Sequence, residues 1–295
     1  MNETPISDDH PRPRRGGKPV EGKPVIDRAF ALLSAFGSDH RAQSLAELAQ
    51  RSGIPRSSAL RLARALVEVG ALERLGDGRF VVGLRLLEIA SLAPRGHGLR
   101  SVAMPFMEDL FHVTRQHVLL AVRDQGEALL VERLSALDAS PVHYRVGGRL
   151  PLTSTGVGLV LLAFAPSRVQ DQAIATYEPE HGPDDVRTPA DLRRLLAEVR
   201  RGDYAFGRQS RPWPLSTAAA PLRNEDGVVA ALSVVAPSTG FTDAGYGPAV
   251  RATARAISRQ LLADGPRMHR FQTNPREYST GHRLLSPMDH DKTPS

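Results

Sequence analysis

Apolar residues recur at helical spacing soon after the start of the chain. Residues 25–36 place four apolar side chains on one side of a helix with 3.6 residues per turn. These side chains are Ile26, Ala29, Phe30 and Leu33. The pattern predicts a first amphipathic helix whose apolar face these four residues form.

Local end signals define two further helices. Ser44 is followed three residues later by Glu47, a capping box that predicts a helix beginning at Ser44. Gly53 ends this helix, and Pro55 fits the first position of a third helix that extends to about Val69. The inner stripe of the second helix comprises Leu45, Leu48 and Ala49.

The third helix separates into two sides on a helical wheel. The apolar side, which must pack on the first two helices, comprises Ala59, Leu62, Ala63 and Leu66. The opposite side comprises Ser57, Arg61, Arg64 and Glu68. The two arginines on this outward face are either ordinary solvated charges or contacts to a polyanion.

Two short β-prone runs follow and flank Gly76-Asp77-Gly78, which is typical of a hairpin. Three helices and a hairpin, with a short turn between the second and third helices, predict a winged helix-turn-helix. In that fold the third helix lies in the major groove of DNA. The order of these elements therefore favours DNA contact over a routine solvated face.

Each arginine among the candidate DNA contacts has an expected role. Arg61 and Arg64 are placed to read the O6 and N7 atoms of guanine, and Arg56 is placed to anchor a phosphate beside the free N–H groups of the helix start. Arg79, at the hairpin tip, is expected to grip the backbone or minor groove. The full set of candidates is Ser44, Arg56, Ser57, Ser58, Arg61, Arg64 and Arg79.

A helical pattern over residues 84–93 is interrupted by Pro94, Gly96 and Gly98, and we interpret residues 84–98 as a linker helix between domains. Its apolar residues either join two protomers or are buried within one chain. They are Leu84, Leu87 and Ala90.

Strands and helices then alternate irregularly. We expect a hairpin over residues 117–134, helices over 99–110, 154–165, 191–201 and 244–264, a strand over 204–209 and a strand pair over 216–237. Hairpins rather than strict βαβ alternation predict an α+β domain with a largely antiparallel sheet.

The chain has 295 residues, a formal net charge of +6 and no cysteine. Without cysteine there are no disulfides, thiolate zinc sites or cysteine nucleophiles, and a reducing cytoplasm fits. The longest apolar run, residues 157–165, is too short to span a bilayer, and the first residues do not form a secretory signal. We expect a cytoplasmic protein with no membrane segment.

Three stretches of the sequence resemble a known protein family. The stretch SLAELAQRSGIPRSSALRLARALVEVGALERLGDGRFVVGLRLLEIA resembles the N-terminal domain of isocitrate lyase regulator (IclR) family transcription factors. GGRLPLTSTGVGLVLLAF and APLRNEDGVVAALSVVAP resemble segments of the regulatory domain of that family, so the likeness covers roughly residues 25–264. The resemblance implies a homodimer or tetramer, a double-stranded DNA operator, and a C-terminal GAF-like domain that binds a small effector, often an organic acid.

Together these observations predict an α+β protein with an N-terminal winged helix-turn-helix, a linker helix and a C-terminal GAF-like effector-binding domain. The expected boundaries are a disordered tail at 1–23, the DNA-binding domain at 24–83, the linker helix at 84–98, the effector-binding domain at 99–265 and a disordered tail at 266–295.

Candidate effector contacts come mainly from the resemblance. Glycines at the start of the helix after Thr155 allow either close approach of a ligand to backbone N–H groups or tight packing against the sheet. Phe206 stands where some members carry an acid, and Gln209 is the nearest polar substitute. The candidates are Gly156, Val157, Gln209, Trp213, Ser216 and Ser233. An apolar or aromatic acid suits Trp213 and Phe206 better than a very small polar acid.

An enzyme is the competing class. The sequence contains no HExxH, GxSxG or Walker motif, and its ten histidines are scattered. We therefore assign no catalytic residue, metal ligand or cofactor. The alternative is a metabolic enzyme or sensor that acts on a small carboxylate and has a helical head that does not bind DNA. A purely structural dimer leaves the outward face of the third helix unexplained.

Overall fold

The computed structural model describes residues 24–37, 39–136, 142, 144–179, 183–209 and 214–263. The chain divides into two compact units, the first up to Glu88 and the second from Ile89 onward. Each unit has a core of its own. Both predicted tails and the candidate residue Trp213 lie outside the described residues.

Over its described residues, the first unit contains three helices and a two-stranded antiparallel hairpin, with a fourth helix at its end. Its elements are α1 (Val25–Leu33), α2 (Leu45–Ser52), α3 (Arg56–Glu68), β1 (Leu72–Arg74) and β2 (Phe80–Val82), followed by α4 (Leu84–Ser91). The predicted capping box is confirmed, because the Ser44 hydroxyl accepts from the Glu47 N–H at 3.3 Å and the Glu47 carboxylate accepts from the Ser44 N–H at 2.7 Å. Gly53 ends α2 with a φ of 66°, a left-handed conformation that glycine adopts without strain.

The predicted inner face of α1 is wrong in part. Ile26 and Phe30 are 69% and 64% exposed, whereas Leu32, which the pattern left out, is fully buried. Ala29 and Leu33 are half-buried against the core. Apolar residues occupy more than one side of this short helix, so periodicity alone does not select the side that meets α2 and α3. The selection leaves a patch of apolar surface exposed.

Gln43 ties the hairpin to the start of α2. Its backbone exchanges two hydrogen bonds with Phe80, of 2.9 and 2.7 Å, and its amide nitrogen donates to the Ala35 carbonyl at 2.8 Å. The side chain is buried. Because these bonds join residues distant in sequence, they set the position of the hairpin relative to the helices, and no local signal predicted them.

The second unit is built on one sheet of six strands in the order β5-β4-β3-β8-β7-β6, with every neighbouring pair antiparallel. The strands are β3 (His117–Asp124), β4 (Glu127–Leu134), β5 (Arg149–Pro151), β6 (Ala205–Gln209), β7 (Leu215–Asn224) and β8 (Gly227–Pro237). The helices are a π-helical turn (Pro94–Gly98), α5 (Leu99–Thr114), α6 (Gly156–Ala163), α7 (Ser167–Ala175), α8 (Pro189–Gly202) and α9 (Asp243–Ala263). The predicted α+β class is confirmed, while β5, α7 and the π-helical turn were not predicted.

Helices cover both faces of this sheet. Residues of α6, α7 and α8 form one core with alternate strand residues such as Leu215 and Ala219. Residues of α5 and α9 form a second core with the intervening ones, such as Ala218 and Ala220. Successive side chains of a strand point to opposite faces, so the position of a residue along β7 decides which core it meets.

Candidate nucleic-acid interface and ligand cavity

The outward face of α3 carries the predicted basic residues. Ala59, Leu62 and Ala63 are buried in the core of the first unit, whereas Arg61 and Arg64 are exposed. Ser57 and Glu68 are also exposed. The predicted separation of α3 into an inner apolar side and an outer polar side is therefore confirmed.

The start of α3 is open to an anion. Pro55 occupies the N-cap of α3 rather than the predicted first helical position, which Arg56 takes. The Pro55 side chain cannot accept a hydrogen bond. The first turn contains no acidic residue. The first N–H groups of a helix lack intrahelical acceptors and lie at the positive end of its dipole. Arg56 and Ser57 therefore combine a cation, a hydroxyl and free backbone donors on an exposed surface.

The hairpin arginine has a partner within the protein. Arg79 Nε lies 2.7 Å from Asp77 Oδ2, and the Arg79 N–H donates to Asp77 Oδ1 at 3.0 Å. These bonds, the backbone one foremost, lower the pKa of the Asp77 carboxyl and keep it charged. A phosphate contacting Arg79 must compete with that carboxylate. The Ser44 hydroxyl is likewise engaged, since it also donates to Glu47 at 2.8 Å.

The second unit contains a cavity where the start of α6 meets β3, β6, β7 and β8. Five of the predicted effector contacts line this cavity: Gly156, Val157, Gln209, Ser216 and Ser233. The structure thus brings together residues that lie far apart along the chain. The space left between the lining side chains is about 20 Å³, which is room for about one water molecule.

Close packing explains the glycines at the start of α6. A Cβ atom on Gly156 would lie 2.3 Å from Thr217 Oγ1, and one on Gly158 would lie 2.3 Å from the Pro151 carbonyl oxygen. The Thr155 hydroxyl caps the helix by accepting from the Gly158 N–H at 3.1 Å. That cap leaves the N–H groups of Gly156 and Val157, at the edge of the cavity, without an intrahelical acceptor.

Two buried hydroxyl groups face the cavity without a hydrogen-bond partner in the part of the chain that the structure describes. They are Thr217 Oγ1 and Ser233 Oγ. An unsatisfied buried polar group costs about 1–3 kcal/mol, so these two hydroxyls are candidates for hydrogen bonds to a bound water or a polar ligand. Sequence reasoning missed Thr217, although its alternation with Leu215 and Ala219 along β7 could have revealed the face it shares with them.

Strand alternation turns the side chains of Ser216 and Phe206 towards the opposite face of the sheet. Ser216 pairs with Ala236 and lies on the face of α5 and α9, where its hydroxyl is 2.9 Å from Ser238 Oγ. Phe206 also packs on the face covered by α5 and α9, with its ring centroid 5.8 Å from that of Phe241. Because a shift of one residue along a strand changes the face, the Phe206 ring is not part of the cavity wall, whereas Ser216 is among the lining residues with its hydroxyl engaged by Ser238.

Tyr144 is a cavity residue that sequence reasoning did not single out. Burial raises the pKa of its phenol, so the group stays neutral and can donate or accept a hydrogen bond. Its backbone is held by Arg133, whose Nη1 donates to the carbonyl oxygens of Val142 and Tyr144. A half-buried arginine of β4 therefore positions this wall of the cavity.

Other site types receive no support from the described residues. No group of three His, Asp or Glu side chains among them is arranged to hold a metal ion. None of the helices in the described ranges combines the length and apolar character needed to cross a membrane.

A three-helix head with an exposed basic third helix and a hairpin, followed by an antiparallel α+β unit, defines the class of winged helix-turn-helix DNA-binding regulators. Family comparison gives the same class. The profile of the IclR helix-turn-helix domain matches residues 25–76, and that of the bacterial transcriptional regulator IclR C-terminal domain matches residues 93–259. The chain belongs to the IclR family of transcriptional regulators.

Individual relatives cover most of the chain. The HTH-type transcriptional repressor AllR of Escherichia coli K12 is 26% identical over 261 residues, spanning 84% of this chain and 96% of AllR. A crystal structure of an IclR homolog from Microbacterium hydrocarbonoxydans, complexed with 4-hydroxybenzoate, is 36% identical with a TM-score of 0.74, covering 81% of this chain and 99% of that one. The Thermotoga maritima IclR structure is 25% identical with a TM-score of 0.64, covering 80% and 98%.

Proposed function

We propose that this IclR-family regulator binds an operator through α3 of each head and that a small organic acid in the cavity modulates this binding. The observation that carries the proposal is the pair of unpartnered hydroxyls, Thr217 and Ser233, beside the start of α6. The protein acts without catalysis and in the cytoplasm. The similarity of the chain to transcriptional repressors supports this reading over an enzyme.

On the DNA side, α3 lies in the major groove. Arg61 and Arg64 reach base edges, while Arg56 and the first-turn hydroxyls of Ser57 and Ser58 bind a phosphate. Arg79 acts as a secondary contact, because Asp77 competes for its guanidinium.

On the ligand side, the N–H groups of Gly156 and Val157 receive the carboxylate at the positive end of the α6 dipole. Thr217 and Ser233 donate to ligand oxygens, and Gln209 supplies an amide at the edge of the cavity. An aromatic acid fits this arrangement, and the homolog complexed with 4-hydroxybenzoate supports that class. The neutral phenol of Tyr144 and the apolar side chains of the sheet provide the rest of the wall.

Binding of such an acid requires movement. The free space of about 20 Å³ is far smaller than an aromatic ring, so the lining side chains must separate when the ligand enters. A ligand that prefers the opened arrangement shifts the population of the regulator towards it. This differential preference is what allows ligand binding to change DNA affinity.

The protein acts as a homodimer. Leu84 and Leu87 of α4 are 68% and 66% exposed rather than buried within the chain, and Ala90 is exposed as well. Ile26 and Phe30 of α1 add further exposed apolar surface. Burying such surface against a second copy is favourable. Two heads then read half-sites about 34 Å apart, or a multiple of that spacing.

Fluorescence anisotropy on labelled intergenic DNA next to the gene tests the proposal. We expect saturable binding that 4-hydroxybenzoate or a related aromatic acid shifts, in either direction. Equal affinity for operator and scrambled DNA of the same length would refute the operator assignment. Operator binding that no organic acid alters would refute the ligand assignment alone.

A further inference from the structure

A second concave surface lies where α9 passes the end of β7. This cleft encloses about 290 Å³ and shares no lining residue with the ligand cavity. Strand β6 pairs with β7 only as far as Ala219, whereas β7 continues to Asn224. Among the described residues, the edge of β7 beyond Ala219 therefore has no strand beside it and borders the second half of α9.

The backbone along this edge has no free N–H groups at Pro221 and Arg223 that could pair with another strand. Pro221 has no N–H group, and the N–H of Arg223 donates to the Ser258 hydroxyl at 3.0 Å. In an antiparallel strand, residues two apart direct their backbone groups to the same side. Neither position offers a free donor, so a molecule in the cleft must be recognised by side chains.

Those side chains are mainly cationic. Four arginines line the cleft, hereafter the arginine cleft: Arg223, Arg251, Arg255 and Arg259. The acid among the lining residues is Asp203, which accepts from Arg223 Nη2. Within the described ranges no carboxylate forms an ion pair with the three arginines of α9. Arginines four residues apart on a helix repel one another, and an anion bound between them relieves that repulsion.

Two of the arginines are held in place. The Arg223 guanidinium carbon lies 4.7 Å from the centroid of the Phe164 ring, and that of Arg251 lies 5.8 Å from the centroid of the Tyr204 ring. An aromatic face stabilises a guanidinium group through cation–π attraction. Because these groups are ordered in advance, they lose less conformational entropy when they bind a ligand.

We propose that the arginine cleft is a second ligand site that binds a small polyanion carrying two or more phosphate or carboxylate groups. Successive arginines of α9 are offset by about 6 Å along the helix, and each planar guanidinium can bond two oxygens of one anionic group. The cleft is concave, with Ala220, Pro221 and Leu262 among its lining residues. This shape confines a small molecule rather than a flat macromolecular surface.

Isothermal titration calorimetry of the full-length protein with sodium tripolyphosphate, at constant ionic strength, tests the site. We expect saturable binding that weakens at least tenfold in the Arg255→Gln/Arg259→Gln double variant. The matched control is Arg187→Gln/Arg193→Gln, which removes the same charge from two exposed positions, one before α8 and one in its second turn. The control variant should retain the affinity of the unaltered protein.

Three results overturn the proposal. Equal weakening in both double variants means that tripolyphosphate responds to net charge alone. Loss of binding in Arg61→Gln/Arg64→Gln, with none in the cleft variant, places the anion on the head. Binding of a polyglutamate peptide to the cleft without binding of tripolyphosphate means that the occupant is an acidic protein segment. Thermal unfolding followed by circular dichroism verifies that each variant is folded.

Discussion

Ser216 and Thr217 are neighbours on β7, but their hydroxyls lie on opposite faces of the sheet. The Ser216 hydroxyl is bonded to Ser238, whereas Thr217 Oγ1 faces the ligand cavity without a partner among the described residues. One residue of register thus separates a satisfied structural hydroxyl from a candidate ligand contact.

Thr217→Val replaces that unpartnered hydroxyl with a methyl group of similar volume. We expect the variant to bind the effector at least tenfold more weakly and to be about 1 kcal/mol more stable without ligand, because the cost of an unsatisfied buried group disappears. Calorimetric titration and urea unfolding measure the two effects. Ser216→Ala is the matched control and should leave effector affinity unchanged; the reverse pattern would assign the contact to Ser216.

Gly156→Ala places a methyl group 2.3 Å from Thr217 Oγ1. We expect a loss of about 1–3 kcal/mol in unfolding free energy, since overpacking forces the helix start away from β7. Thr217→Ala in the same chain should restore part of that loss. Gly202→Ala, at the end of α8 with no atom within 4 Å of the added Cβ, serves as the control and should not destabilise. Equal effects of the two glycine substitutions would rule out the close-packing explanation.

Arg61→Ala and Arg64→Ala should each weaken operator binding by about 1–3 kcal/mol and relax the preference at one base pair. The physical reason is the loss of a bidentate contact to a base edge. Anisotropy against a panel of single-base operator variants measures both effects. Arg193→Ala changes net charge equally at an exposed site of α8; if it weakens binding as much, the contacts of α3 are not specific.

Ser44→Ala should return the pKa of Glu47 towards its ordinary value. In the folded protein, hydrogen bonds from the Ser44 backbone and side chain lower that pKa. Because the pKa of Glu47 is lower in the folded than in the unfolded protein, its ionised carboxylate stabilises the fold at pH values above the unfolded pKa. This stabilisation is lost as the pH falls through the folded pKa. The stability gap between the unaltered protein and Glu47→Gln should therefore shrink in acid. NMR titration of Glu47 in the unaltered protein and in Ser44→Ala checks the pKa shift, and identical titration curves would contradict it.

Leu84→Glu combined with Leu87→Glu should convert the dimer to a monomer. Charged groups on two exposed apolar positions of α4 oppose burial against a second copy. Sedimentation velocity gives the mass of the species in solution. Val113→Glu alters a similarly exposed apolar residue of α5 and should leave the dimer intact. A dimer that survives the α4 substitutions would place the interface elsewhere.

The sequence by itself determined the elements whose signals are local. The capping box of Ser44 and Glu47, the glycine end of α2 and the hairpin beyond α3 each depend on residues within a few positions of one another. The outward position of Arg61 and Arg64 follows from the helical period alone, because the buried apolar residues of α3 lie on the opposite side of the helix, which packs on the core. These features are fixed by short-range geometry.

Tertiary structure decided what periodicity leaves open. Only packing selected Leu32 rather than Ile26 and Phe30 for the core, because several sides of α1 are apolar. Likewise, only the strand register placed the Thr217 side chain towards the cavity and the Ser216 side chain towards the opposite core. Alternation along β7 predicts that the two side chains point to opposite faces, but it does not predict which face packs on α6. Contacts between segments distant in sequence determined both the buried side of α1 and the face of β7 that meets α6, and no short stretch of sequence contains those contacts.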